Sequence, residues 1–341
     1  MRTPTPEETR QELLRRATAL GLGPVGVAPV EGDLRQEYFH RWLAEGQHGE
    51  MGWMARDPER RANPGQVQPE ARSILCFGLN YYQPEPHRRG RIAKYALGKD
   101  YHKVMISKLK RICDWLRELG AANRPYVDTG PLLEKPIASL AGLGWQGKNT
   151  MVLNREEGQW LFLGFILTTF PFPPDSPQPD RCGTCTRCID ICPTRAITAP
   201  YQLDARKCIS YLTIEHKGAI PDEYRRLIGN HLYGCDDCLD VCPWNKWARQ
   251  TREAAFSPRA YPDLRDMLGL DEAGFNELFA GSPIRRLKRP RWLRNVCIVL
   301  GNTGDAGDLP ALEHAAADPE SLVAEHAAWA IREIRKRLDL Q

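Results

Sequence analysis

No apolar stretch in this chain is long enough to cross a bilayer. The best, "WLFLGFILTTFPF" from Trp160, falls short of the roughly 20 residues a spanning helix needs and ends among prolines, so it reads as a buried strand. The opening "MRTPTPEETRQELLRRA" has neither the apolar core nor the cleavage site of a secretory signal, and a cytoplasmic location with no membrane partner is the expectation. Excess charge of one sign is missing too. A net charge of only +4 cannot declare a nucleic-acid binder, so any such reading must rest on where basic residues cluster. Two cofactor signatures are absent. "GKN" at Gly147 to Asn149 lacks the upstream glycine spacing of a phosphate-binding loop, which disfavours ATP hydrolysis. No D-x-H-x-x-G is present.

Cysteine, by contrast, is plentiful. The chain has 341 residues, enough for two or three domains, and 11 cysteines; in a reducing compartment these suggest metal rather than a disulfide framework. Spacing selects the metal. Cys182, Cys185, Cys188 and Cys192 precede Pro193 as C-x2-C-x2-C-x3-C-P, the bacterial ferredoxin run in which three thiolates hold one [4Fe-4S] cluster and the fourth reaches to another. The partner run is Cys235, Cys238 and Cys242 before Pro243, one cysteine short, and Cys208 can fill the vacancy. The count then closes at two clusters: Cys182, Cys185, Cys188 and Cys242 on the first, Cys192, Cys208, Cys235 and Cys238 on the second. Paired C-x2-C units also suit tetrahedral zinc, but zinc ribbons lack the C-x3-C-P ending. Cys76, Cys113 and Cys297 sit in apolar patterns and read as small core residues.

Two clusters make an electron relay, and a bare ferredoxin needs far fewer residues than this. The remainder divides into an α/β domain over residues 1–172, a ferredoxin-like domain over 173–250 and a helical domain over 251–341. The first alternates helical patterns ("PEETRQELLRRATALG", "YHKVMISKLKRICDWLRELG") with strand-like runs ("PVGVAPV", "SILCFGLNYY"). The last looks like HEAT-type helix pairs, too few to stand alone as a solenoid and so expected to pack on the other domains. "RRLKRPRWLR" places Arg285, Arg286, Lys288, Arg289, Arg291 and Arg294 together without an acid; it suits either a solvated helix face or a phosphate-contacting patch. A second basic cluster, His87 to Tyr95 with Lys99, His102 and Lys103, favours a polyanionic partner.

The ordered set "KYALGKDYHKV", "YVDTGPLLEKPIASLAGLGWQGKNT", the first cysteine run, "CISYLTIEHKGAIP" and "YGCDDCLDVCPWN" closely resembles the epoxyqueuosine reductases, from about Met51 to Asn245. The resemblance implies a nitroreductase-like domain and a ferredoxin domain enclosing a base-off cobalamin, an arrangement similar to reductive dehalogenases. It implies removal of the epoxide oxygen from the modified base at the wobble position of a transfer-RNA anticodon. The expected partners are the anticodon stem-loop and an external low-potential electron donor, with the enzyme a monomer. Asp128 is carried over as the proton donor, its acid form favoured by desolvation beside an apolar corrin face; an aspartate before Gly130 and Pro131 also suits a turn cap. Tyr101 and His102 look like active-site wall residues, though such a pair at a helix start also suits a structural role. Lys94, Gly147, Lys148, Asn149 and Ser210 are expected to serve the cofactor. Two other classes compete: a small-molecule corrinoid reductase of the dehalogenase type, disfavoured by the missing export signal and the basic tail, and a non-catalytic iron-sulfur electron-transfer subunit.

Overall fold

The apolar runs that read as strands form the centre of one sheet. In the computed structural model, which describes residues 5–86 and 89–339, β1 (Val25–Ala28), β2 (Ser73–Asn80), β4 (Asn123–Tyr126) and β5 (Leu161–Thr168) lie in the order β1-β2-β5-β4. Every neighbouring pair is antiparallel. Helices and strands alternate along the chain as expected of an α/β domain, yet the sheet has none of the parallel pairing such alternation usually signals. β2 and β5 are apolar throughout because helices cover both faces. Leu75, Phe77 and Leu79 turn to one side, where α1 (Pro6–Ala19) and α2 (Tyr101–Glu118) supply Leu13, Met105, Leu109 and Leu116. Ile74 and Cys76 turn to the other, against Ile137 and Ala138 of α3 (Glu134–Leu140). Gly164 lets α2 approach β5, since a Cβ there would lie 2.5 Å from Met105 Cε.

Two local features aim the candidate residues. Asp100 caps α2, accepting the His102 N–H at 3.1 Å, which places Tyr101 and His102 on the first helical turn. β4 then ends at Tyr126 and leads into a loop whose Asp128 takes the left-handed conformation, φ +57°. Cys76, Cys113 and Cys297 are fully buried in apolar cores, as their patterns implied.

The expected boundary at residue 250 does not separate cores. Ile209, Leu212 and Ile214 of α4 (Ile209–Ile214) and Leu232 of β6 (His231–Tyr233) share one cluster with Trp292, Val296 and Leu300 of α5 (Lys288–Thr303) and with Ala327 and Ile334 of α7 (Ser321–Arg337), beyond the short α6 (Leu309–Ala315). β6 also pairs with β3 (Arg91–Ile92), tying this unit back to the first part of the chain. Among the described residues no helix is long and apolar enough to cross a membrane.

This joint corrects the reading of the basic stretch. Arg294 is fully buried, and its guanidinium donates to the carbonyls of His216, Gly218 and Leu212 at 2.8, 2.8 and 2.9 Å. Burial lowers its pKa to about 9. Arg289 bonds the Leu270 carbonyl at 2.5 Å and pairs with Asp318; Arg291 donates to the carbonyls of Leu287, Ile214 and Arg286. These three arginines hold the helices in place and have no fork left for phosphate. Arg285, Arg286 and Lys288 stay exposed. The second basic cluster is also largely neutralised. Arg89 pairs with Asp308, and Arg91 with Glu85, Asp237 and Asp240. His87 lies outside the described residues, and Lys99 and Lys103 remain exposed. Arg294→Met should therefore cost about 2 kcal/mol of unfolding free energy, because it strands the buried Leu212 carbonyl and breaks two bonds that tie the His216–Gly218 turn to α5; a urea melt with an unchanged midpoint would refute the structural role.

Candidate iron-sulfur centres and active-site cleft

Each cysteine run folds as a turn, one helical turn and a proline. In the first, Cys185 N–H bonds the Cys182 carbonyl, residues Arg187–Asp190 make the helical turn, and Cys192 N–H closes on the Ile189 carbonyl. The second repeats this over Asp237–Asp240, with Cys242 N–H on the Leu239 carbonyl. All eight candidate cysteines are free thiols. Their mutual fields draw them toward two groups that touch. Burial, then the neighbouring charges of Cys182, Cys242 and Cys185, lifts the Cys188 thiol to about 11, and Cys242 is raised by burial and by Cys182 and Cys185. Cys238 is pushed far up by burial and by Cys208, then by Asp236, by Cys188 of the other group and by Cys192; Cys208 in turn feels Cys192, and Cys235 feels Cys238 and Cys208. Such a crowd of soft, mutually repelling thiolates is a metal-binding arrangement.

The residues expected to serve the cofactor mostly serve these thiol loops instead. Lys148 Nζ donates to the carbonyls of Gly183 and Cys185 at 2.6 and 2.9 Å. Asn149, 5% exposed, exchanges hydrogen bonds with Gln159 and reaches the Cys238 carbonyl of the second run at 3.3 Å. A Cβ on Gly147 would sit 3.6 Å from Cys182 Sγ. Lys94 is buried over the Trp160 ring and pairs with Asp240 at 2.7 Å. Ser210 contributes its backbone N–H toward the Cys208 sulfur. The sequence reading missed His231, whose Nε2 stands 3.8 Å from Cys235 Sγ and 3.1 Å from Asp237 Oδ2.

The three expected catalytic residues do meet. Tyr101 donates its hydroxyl to Asp128 Oδ2 at 2.6 Å, and His102 Nε2 lies 3.4 Å from the same oxygen. His102 Nδ1 is 2.7 Å from Asp100 Oδ1. Burial lowers the imidazole pKa, but the hydrogen bonds to Asp100 and Asp128 outweigh it and hold His102 at about 9, so at neutral pH it is a cation donating from both nitrogens. Asp128 is corrected in one respect. Desolvation raises its pKa, yet hydrogen bonds from His102 and Tyr101, with the charges of His102 and Arg286, bring it below the ordinary value; it is the carboxylate, not the acid. The acid form belongs to a residue the sequence reading passed over. Glu134 accepts the Asp128 N–H at 2.7 Å, and burial and the Asp128 charge push its pKa to about 8.

Asp128 Oδ2 keeps an open side; its side chain is 51% exposed. Tyr101 stacks on Phe162 at 4.2 Å, fixing the wall behind it. Lys135, its pKa lowered by burial, feels the opposing charges of Asp128 and Glu134 and those of Cys238 and Cys208, so it links the Asp128 site electrostatically to the second thiol group. Arg61 Nη1 bonds the Gly130 carbonyl at 3.2 Å and props the Asp128 loop from behind.

Two thiol fours beside a proton-rich cleft define an iron-sulfur oxidoreductase. Residues 181–245 match a family model described as a 4Fe-4S double cluster binding domain, and residues 61–129 match one described as epoxyqueuosine reductase QueG, DUF1730. The epoxyqueuosine reductase of Xanthomonas campestris pv. campestris is 43% identical over 96% of this chain and 97% of that protein; that of Escherichia coli K12 is 41% identical over 96% and 90%. A crystal structure of epoxyqueuosine reductase with an epoxyqueuosine-modified tRNA-Tyr stem loop superposes with a TM-score of 0.91 at 34% identity, covering 97% of this chain and 91% of that one. The Bacillus subtilis enzyme, with the catalytic loop swung out of its active site, gives 0.89 at 33% identity over 97% and 91%. The chain belongs to the epoxyqueuosine reductase family, and its residues 181–245 form a double-cluster domain.

Because Lys148 tethers only the first thiol loop, Lys148→Ala should lower iron occupancy at that group and spare the second. Iron quantification with Mössbauer spectra reads this; equal loss at both groups would contradict it.

Proposed function

We propose that this protein reduces epoxyqueuosine to queuosine at the wobble position of transfer-RNA anticodons, with cobalamin bound in the cleft and electrons supplied through two [4Fe-4S] clusters. The observation that carries the reading is the convergence of Tyr101, His102 and Glu134 on a half-exposed Asp128, whose charge acts on Lys135 together with those of Cys208 and Cys238. Cys182, Cys185, Cys188 and Cys242 would hold one cluster and Cys192, Cys208, Cys235 and Cys238 the other, in keeping with their mutual fields. A flat cofactor with an amide-bearing rim suits a space bounded by the Tyr101 ring, the open Asp128 carboxylate and the Lys135 ammonium. When bound, cobalamin would supply a strongly reducing, nucleophilic centre for the strained epoxide carbon.

The chain's own residues manage the protons. Loss of an epoxide oxygen as water consumes two electrons and two protons. His102 Nε2–H and Tyr101 Oη–H both aim at Asp128 Oδ2, so the imidazolium proton passes from His102 to that carboxylate oxygen and from there to the departing epoxide oxygen, and a solvent proton supplies the second. Glu134, protonated at neutral pH, keeps a second negative charge from building beside Asp128. Asp128 is thus the last relay atom and His102 the store. The anticodon would approach over the open side of Asp128, where Arg286, which pairs with Glu215 at 2.8 Å and lowers the Asp128 pKa, brings positive charge to the mouth.

Single-turnover reduction of a defined anticodon stem-loop tests this. Asp128→Asn should keep stem-loop and corrinoid bound and slow reduction by roughly 10²- to 10⁴-fold; full-rate turnover by a variant that still holds its corrinoid would remove Asp128 from the chemistry. The pH profile carries a sign. Deprotonating Glu134 near pH 8 and His102 near pH 9 empties the store, so the rate should fall as pH rises through that window. His102→Gln should abolish the upper limb, and a wild-type rate that is flat to pH 10 would count against the relay.

Crossed ligation has its own test. Cys242→Ala should damage the cluster held by the first run, and Cys208→Ala the other. Loss of the same cluster in both, read by paramagnetic resonance, would contradict the assignment.

A further inference from the structure

Among the described residues the most exposed large apolar side chain is Trp247, at 66%, and nothing in the cleft uses it. It belongs to the rim of the first thiol group. Trp244 packs edge-on against Trp145 at 5.0 Å, two residues before Gly147, where a Cβ would lie 3.6 Å from Cys182 Sγ, so the segment Pro243–Trp247 is anchored beside the Cys182 loop. Ile191, the next most exposed at 45%, follows Cys188 on the same run. Arg181, Arg187 and Arg195 on the first run, and Lys246 and Arg249 flanking Trp247, are all exposed. None of the five forms an ion pair with a described residue, whereas Arg91 and Lys94 beside the second group are fully paired. The acids nearby are occupied: Asp180 accepts the Cys182 N–H at 2.7 Å and the Tyr201 hydroxyl, and Asp190 accepts the Thr186 hydroxyl at 2.7 Å. Lys246 Nζ sits 4.5 Å from the centroid of the Trp247 ring, which leaves one ring face free.

An apolar centre inside an unpaired basic rim is the anatomy of a small, weak, electrostatically steered interface. We propose that this rim docks an acidic one-electron carrier protein, which reduces the protein at the first thiol group. The proposal rests on reading the two thiol groups as clusters. In each encounter the carrier loses one electron and the protein gains one, and two encounters supply the two electrons that one epoxide consumes.

The probe is reduced flavodoxin, mixed anaerobically with cluster-loaded protein while the bleaching of iron-sulfur absorbance is followed. The second-order rate constant should fall by about tenfold or more on going from low to high salt. The Arg181→Glu, Lys246→Glu double variant should lose at least about tenfold at low salt, and Trp247→Ala should weaken binding of oxidised flavodoxin. Iron content, cluster reduction by dithionite and dithionite-driven turnover should match wild type in all variants. Unchanged flavodoxin rates in these variants would overturn the proposal, as would a wild-type protein that neither flavodoxin nor a ferredoxin can reduce. Weakened stem-loop affinity with unchanged flavodoxin rates would assign the rim to RNA instead. Low iron content or clusters that dithionite cannot reduce would sink the cluster reading itself, a separate failure.

Discussion

The structure depends on one constraint: eight thiols from two separate runs and from Cys208 must be gathered beside one another, though they are far apart in sequence. In the ligation we propose, Cys242 leaves its own run to join the first, while Cys192 leaves the first run to join Cys208, Cys235 and Cys238. The loops cannot drift apart without opening a group, so the fold has to hold them from outside. Lys148 and Asn149 do so from the hairpin after α3, and Arg91 and Lys94 from the segment after β2, neutralising Asp237 and Asp240 as they do. Arg294 and Asn295 of α5 fasten the remaining side, bonding the carbonyls of Leu212, Thr213 and Leu232 around Cys208 and Cys235. The helical tail is therefore part of the cluster scaffold, and its six-base stretch is mostly a clamp.

The cleft shows how one carboxylate can be half-exposed and still electrostatically crowded. Desolvation alone would make Asp128 an acid, as the sequence reading supposed. Two hydrogen bonds and two cations reverse that, and the proton cost moves to Glu134, whose carboxyl has only the Asp128 N–H in front of it and a negative neighbour beside it. Two carboxyl groups whose environments drive their pKa values apart are the usual mark of divided acid and base duties. The left-handed backbone at Asp128 is the geometric condition for this division, because it turns the N–H toward Glu134 while the side chain faces Tyr101 and His102.

What could be read in advance follows from the range of each signal. Cysteine spacing is set by the ligand geometry of a cluster, and it pointed to all eight thiols and to the 4Fe-4S double-cluster domain over residues 181–245. Apolar runs located β2 and β5, and helical periodicity located α1 and α2, because those patterns are local. The meeting of Tyr101, His102 and Asp128 was legible only through family resemblance; nothing in the spacing of a helix start and a distant loop brings them together. Glu134 was invisible for a different reason, since its proton comes from burial, which composition does not encode. Arg294 was misread because a basic run does not reveal which members of a helix face inward. The sheet's antiparallel order was missed because helix-strand alternation constrains connection length more strongly than direction.

In the proposed reaction protons and electrons come from different groups, and Lys135 links those groups electrostatically. The proton-bearing groups stand on the first turn of α2 and the start of α3, with Asp100 behind them. The thiols are Cys208, just before α4, and Cys238 of the second cysteine run, and the Lys135 charge feels both sets. A cation at that divide offsets negative charge arriving from either side, the thiolate four or the ionised Asp128, without taking part in proton transfer. Burial lowers the Lys135 pKa, while the four surrounding anionic groups oppose that and favour the charged form. The divide is thus held by the same groups it separates, and emptying either side would weaken the charge at Lys135 and with it the other.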